Sequence, residues 1–278
     1  MKQVANPDPF FLPGNRGRRF CVRYAPASGS ACGRSIVYVH PLAEEMNKTR
    51  RMAAVQARAL ADAGWNVLQV DLFGCGDSEG EFGDADWPQW RTDVADAAEW
   101  LFRQTGYQPA LWGLRAGCLL ACEVAKDLDP APDLLLWQPM VSGRQSLQQF
   151  LRLKVASQII ADATPDRLGT RDLHDQLTRG ESVDVGGYVL SPGVALGLDA
   201  SELAPPALPT RVAWLEVSPA QPADLSPAAL GRIQAWQAAG HRVDARALVG
   251  PQFWQTQEIA ECPELVAATL ALVADWPS

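Results

Sequence analysis

The run Ala110-Leu111-Trp112-Gly113-Leu114-Arg115-Ala116-Gly117 reads as a short apolar strand that passes through a glycine-flanked turn into a helix, Ala116 to Asp127. A strand-to-helix turn this sharp exposes its central side chain, here Arg115, and glycine on either side lets strand and helix approach closely. The same unit recurs around it. Upstream, Ser35 to Val39 reads as a strand, Thr49 to Ala63 as an Ala-rich helix ended at Gly64, Asn66 to Asp71 as a buried strand, and Asp86 to Gln104 as a helix with Pro88 near its start. Downstream come Leu134 to Trp137 (strand), Arg211 to Val217 (strand), Ser226 to Ala239 (helix, ended by Gly240), Arg242 to Val249 (strand) and Pro263 to Trp276 (closing helix). Strand–helix alternation with short connections requires crossovers, so it predicts an α/β fold with a mostly parallel, doubly wound sheet flanked by helices.

Two stretches depart from this rhythm. The first forty residues hold a Pro/Gly-rich lead-in, the alternating strand Arg19 to Tyr24 and a Gly/Ser/Ala turn at 25–33. From about 142 to 209 come a helix near Ser146 to Ala161, a weaker polar helix near Thr170 to Thr178, and a Gly/Pro-rich segment from Gly186 to Pro209. The expectation is a core formed by 1–141 and 210–278, with 142–209 inserted as a cap over the site.

The composition excludes several functions. With 278 residues, 47% hydrophobic and 20% charged, the chain can bury a sizeable core. A net charge of −8 repels a phosphate backbone, and only the short Arg16 to Arg19 stretch is basic, so nucleic acid is not an expected partner. No uncharged apolar run approaches the ~20 residues that span a bilayer, and the N-terminal residues carry one Lys and no apolar core of an export signal. The expected location is cytoplasmic. Six cysteines (Cys21, Cys32, Cys75, Cys118, Cys122, Cys262) form no C-x-x-C pair and have no His cluster nearby, which fits buried thiols and predicts neither a metal site nor a cofactor.

In an open parallel sheet, functional residues sit on the turns beyond the carboxyl ends of the strands. Those turns are His40 to Arg51, Asp71 to Gly80 (D-x-x-G-x-G-x-S-x-G), Gly113 to Gly117, the stretch from Trp214 to Asp224, and Val249 to Trp254. The strand ending at His40, the Asp71 to Gly80 run and the Gly113 to Gly117 turn stand in the order and spacing of the α/β-hydrolase superfamily, which nearly the whole chain resembles. More narrowly, the A-E-E-M-N-K core of His40 to Arg51, Gly113-Leu114-Arg115 and Gly250 to Ile259 resemble the exosortase A system-associated hydrolase 2 group. That group is encoded beside exopolysaccharide and protein-sorting genes in Gram-negative bacteria. The resemblance implies an α/β-hydrolase fold and a partner among those components.

The superfamily pattern is G-x-S-x-G, and this chain departs from it at the centre. A protonated guanidinium cannot attack a carbonyl, so Arg115 leaves the covalent mechanism without a nucleophile. Where the superfamily's His follows the last strand, the chain has Gly250-Pro251-Gln252-Phe253-Trp254. His241 precedes that strand and reads as a surface turn residue, and His174 reads as part of a solvated helix face. His40 is the one His placed near the site, where the superfamily's His braces the oxyanion loop. Asp224 lies near the triad acid's place, with Glu216 at the end of the strand before it. Cys118 points away from the turn and reads as core; Trp112, Trp137 and Trp254 are expected at the cleft border.

Backbone donors survive the loss of Ser: the N–H groups of Ala116 and Leu42 form the expected oxyanion pair, Pro41 having none. Arg115 at a helix N-terminus, with Leu42, Ala116, Glu44, Glu45 and Trp254 around it, suits a small anionic or acyl ligand. A neutralised Arg115, paired internally with Glu44, Glu45 or Asp71, is equally compatible. Three functions therefore stay open: a non-classical or inactive hydrolase that binds such a ligand, an ester or thioester hydrolase using water activated by His40 or a nearby acid, and an interaction subunit without a ligand.

Overall fold

A computed structural model describes residues 6–27, 31–160 and 168–277. The expected turn at 25–33 and the expected helix end at Ala161 therefore fall partly outside the described residues, as do the first five residues. Eight strands form one sheet in the order β1-β2-β4-β3-β5-β6-β9-β10. They are β1 (Pro7–Gly14), β2 (Gly17–Tyr24), β3 (Arg34–Val39), β4 (Trp65–Val70), β5 (Ala110–Leu114), β6 (Leu134–Trp137), β9 (Arg211–Ser218) and β10 (Arg242–Val249). β1 and β2 pair antiparallel, β2 runs antiparallel to β4, and every pairing from β4 to β10 is parallel. This is the α/β-hydrolase fold.

Alternation along each central strand divides the core into two layers. On β5 and β6, Trp112, Leu114, Leu135 and Trp137 face a layer completed by α1 (Glu44–Asp62) and α8 (Pro263–Val273). Leu111, Leu134 and Leu136 face the other layer, with α2 (Trp87–Thr105), α3 (Gly117–Asp127) and α7 (Pro227–Ala238). Strands buried on both faces read as near-continuous apolar runs, as these do.

Between β6 and β9 lie α4 (Gly143–Ile160), α5 (Thr170–Thr178), the hairpin β7 (Val183–Val185) and β8 (Tyr188–Leu190), and α6 (Pro192–Ala200). The segment docks on the core through α6 and the hairpin. Ser191 Oγ caps α6 and donates to the Ala85 carbonyl at 2.5 Å, while Tyr188 packs edge-on against Phe82 at 5.6 Å.

Five elements differ from the expectation. The Pro/Gly-rich lead-in contains an edge strand, β1, because an edge tolerates prolines whose missing N–H would otherwise break a ladder. Helix α1 begins at Glu44 rather than Thr49, which places Glu44 and Glu45 in its first turn. Around the start of the Gly/Pro-rich segment stand three further elements: Gly186-Gly187, both at positive φ, turn β7 into β8, and α6 follows. Among the described residues no helix is long and apolar enough to cross a membrane, and no group of three or more His, Cys, Asp or Glu could hold a metal.

Candidate functional site

The turn between β5 and α3 is built as its glycines dictate. Arg115 has φ 56°, in the left-handed region that costs a non-glycine residue about 1–2 kcal/mol. A side chain at Gly113 would bring Cβ to 2.5 Å from Cys118 Cα, and one at Gly117 would bring it to 2.6 Å from the His40 carbonyl oxygen. The amide of Arg115 donates to Trp137 O at 3.0 Å, and Cys118 N donates to Arg115 O at 3.1 Å. Strand, turn and helix are thus held together by close backbone approach, whatever the central side chain is. Cys118 is buried in the core, and burial pushes its thiol well above the ordinary range.

Of the three candidate acids, Glu45 takes Arg115. Arg115 Nε donates to its two carboxylate oxygens at 3.2 and 3.4 Å, and Nη2 donates to Oε1 at 3.1 Å. Burial raises the Glu45 carboxyl above its ordinary value, opposed by the positive charges of Arg115 and Lys48. Glu44 instead accepts from Tyr188 Oη at 2.9 Å and Asn47 Nδ2 at 3.5 Å. Asp71 accepts from Arg50 Nη2 at 2.7 Å and Asp77 N at 3.0 Å.

A cleft of about 410 Å³ opens over this pair. Leu42, Glu44, Glu45 and Lys48 line it from the end of β3 and α1, Arg115 from the elbow, Ser146, Gln149, Phe150 and Leu153 from α4, and Trp254 and Gln255 from the turn after β10. Arg115 Cζ lies 5.5 Å from the centre of the Trp254 ring. Trp254 is buried and occupies the turn where a catalytic base would be sought. Trp112 and Trp137, expected at the border, are instead sealed in the core, stacked edge-on at 4.7 Å, because alternation on β5 and β6 turns them into the α1/α8 layer.

His40 and Ala116 sit behind the cleft. They border a crevice of about 10 Å³ that Leu42 shares. Such a volume admits at most about one water. Among the described residues the N–H groups of Leu42 and Ala116 have no backbone or side-chain acceptor. His40 is fully committed: Leu72 N–H donates to Nε2 at 3.3 Å, which leaves the proton on Nδ1, and Nδ1–H donates to Pro41 O at 2.8 Å. Burial lowers its pKa, so the ring is held neutral.

The other titratable candidates lie apart. Asp224 is exposed on the β9–α7 connection and lines neither cavity. Glu216 is buried and accepts from Ser226 N at 2.8 Å and Ser226 Oγ at 3.1 Å, so it anchors the start of α7. His241 is buried rather than on the surface, because the β9 and β10 starts close over it and its Nδ1 faces Thr210 N at 3.2 Å. His174 Nε2 lies 3.6 Å from Asp199 Oδ2 on the far side of α4. Sequence reasoning did not single out Lys48, Phe150 and Leu153. Lys48 stands in the same A-E-E-M-N-K core as Glu45, and Phe150 and Leu153 have the i, i+3 spacing of one helix face.

The model of the Hydrolase_4 family, described as serine aminopeptidase, S33, matches residues 32–184. A human protein, ABHD12B, is 36% identical over 95 residues, which cover 34% of this chain and 25% of that protein. The match thus spans about a quarter of the curated relative's length. Among solved structures, XC6422 from Xanthomonas campestris, an α/β serine hydrolase without lid, superposes with TM-score 0.60 at 16% identity over 98% of this chain and 96% of that one. Est1E from Butyrivibrio proteoclasticus, solved with ferulic acid, does so with TM-score 0.64 at 12% identity over 96% and 100%. At these identities the likeness is one of fold.

Proposed function

The chain belongs to the Hydrolase_4 (serine aminopeptidase, S33) family of α/β-hydrolases, and from that premise we propose that it works without Ser–His chemistry, as a non-classical or inactive hydrolase that binds a small anionic or acyl ligand. One observation carries this: the elbow is intact, but its left-handed position holds a guanidinium, and an indole stands after the last strand. Arg115 there supplies permanent positive charge at the mouth of a helix N-terminus. The segment 142–209 is the cap, and α4 gives the cleft its apolar wall of Phe150 and Leu153. Activation of water by His40 is not supported, since both ring nitrogens are already engaged; neither Asp224 nor Glu216 has a His to orient.

The resemblance of His40 to Arg51, Gly113 to Arg115 and Gly250 to Ile259 to the exosortase A system-associated hydrolase 2 group supports a cytoplasmic role beside exopolysaccharide or protein-sorting components of a Gram-negative bacterium. Calorimetric titration of acyl carboxylates and sugar phosphates into the wild type and Arg115→Ala tests the binding role. The expected result is binding by the wild type that weakens at least about tenfold in the variant, as loss of a charge-assisted contact implies. Equal binding by both proteins removes Arg115 from the site. No binding by either leaves the interaction subunit as the surviving reading, to be sought by co-purification from a native host.

A further inference from the structure

The Arg115–Glu45 pair is seated less tightly than the two ion pairs that tie β2 to α2 and α1 to the turn after β4. Arg19 and Asp93 meet at 2.7 Å with side chains 2% and 1% exposed, and Arg50 meets Asp71 at 2.7 Å. Arg115 and Glu45 meet at 3.1–3.4 Å with side chains 13% and 28% exposed, and both line the cleft. Charge-assisted bonds are normally about 2.7–2.9 Å, so Glu45 rests loosely on its partner. It engages only Nε and Nη2 of a group with five donors. A second cation is at hand: Lys48 lies three residues along α1, lines the same cleft and already favours the charged form of Glu45. Beyond the pair and Lys48, Leu42, Phe150, Leu153 and Trp254 give the cleft its apolar wall, with Glu44, Ser146, Gln149 and Gln255 supplying the rest of the lining.

We propose that Glu45 is a built-in stand-in for the ligand's head group: the cleft takes an acyl monocarboxylate, whose carboxylate replaces Glu45 on Arg115 while its chain lies along Phe150 and Leu153. This rests on the reading that Arg115 binds the ligand, and it narrows that ligand to one class. Displaced Glu45 turns to Lys48, so no carboxylate is left without a cation. Exchanging one carboxylate for another is nearly neutral, and affinity then comes from the chain. Each buried methylene should tighten binding about fourfold until the wall of α4 is covered.

The test is calorimetric titration of acetate, hexanoate and decanoate, with inorganic phosphate as the competing class. It uses the wild type, Glu45→Gln, Lys48→Ala, Leu153→Asp and Arg115→Ala, each checked for native circular dichroism. Glu45→Gln removes the competing charge and is expected to bind decanoate about fivefold to tenfold tighter, the range of a partly exposed ion pair. Lys48→Ala removes the alternative seat and should weaken it, and Leu153→Asp should weaken decanoate far more than acetate. Unchanged or weaker decanoate binding by Glu45→Gln, alongside loss in Arg115→Ala, overturns the stand-in role while sparing Arg115 as a ligand-binding residue. Phosphate binding that exceeds decanoate binding overturns the ligand class. Equal decanoate binding by wild type and Arg115→Ala defeats the underlying reading.

Discussion

His40 and Arg115 stand at neighbouring turns, and each is defined by what its polar atoms already touch. His40 gives one nitrogen to the Leu72 amide and the other to the Pro41 carbonyl, so it ties β3 to the turn after β4. Burial lowers its folded pKa below the unfolded value of 6.5. The unfolded chain therefore binds the proton more readily, and the stability contributed by neutral His40 is fully present above pH 6.5 and lost as pH falls toward the folded pKa. The difference in melting temperature between wild type and His40→Gln should shrink as the pH is lowered through that window. A constant difference would mean that His40 does not titrate with folding. At this scale the sequence places Arg115 well, because Gly113 and Gly117 fix the elbow. It does not choose among Glu44, Glu45 and Asp71, because that choice depends on the phase of α1. Starting the helix at Glu44 sends Glu44 toward Tyr188 and Glu45 toward Arg115.

The elements that were legible are those with an unbroken apolar run or a helical period of their own: β3 to β6 and β9, buried along nearly their whole length, β10, and helices α2, α3, α7 and α8. The illegible ones take their form from neighbours distant in sequence. β1 exists because β2 pairs with all eight of its residues, and its prolines are harmless on an edge. Helix α6 carries Gly193 and Gly197, which argue against a helix in isolation. A side chain at Gly197 would overlap Trp87 Cβ and come within 2.6 Å of Trp87 Cγ, so the glycine lets α6 lie against α2. Gly197→Ala should therefore cost about 1–3 kcal/mol by overpacking. Gly231 in α7 has open space where its Cβ would be, and Gly231→Ala should gain about 0.5–1 kcal/mol. Urea denaturation of the two variants measures both signs. A neutral Gly197→Ala would show that α6 is not held against Trp87.

Across the whole molecule, the parallel sheet brings the carboxyl ends of β3, β5 and β10 to the same edge, which is why turns far apart in sequence meet in one cleft. Leu42, Glu44, Glu45, Arg115 and Trp254 were traceable to those turns. The α4 wall was not, because the elements between β6 and β9 pair with no strand of the main sheet, and only their docking through α6 and the hairpin sets where Phe150 and Leu153 fall. The result is an α/β-hydrolase fold whose β5–α3 turn carries a guanidinium, from which we propose that it works without Ser–His chemistry. Turnover of short-chain p-nitrophenyl esters by the purified wild type, with Arg115→Ala in parallel, tests that claim most directly. Neither protein is expected to show turnover above the buffer rate. Saturable turnover by the wild type that disappears in Arg115→Ala would contradict it, and would make Arg115 part of a working hydrolase.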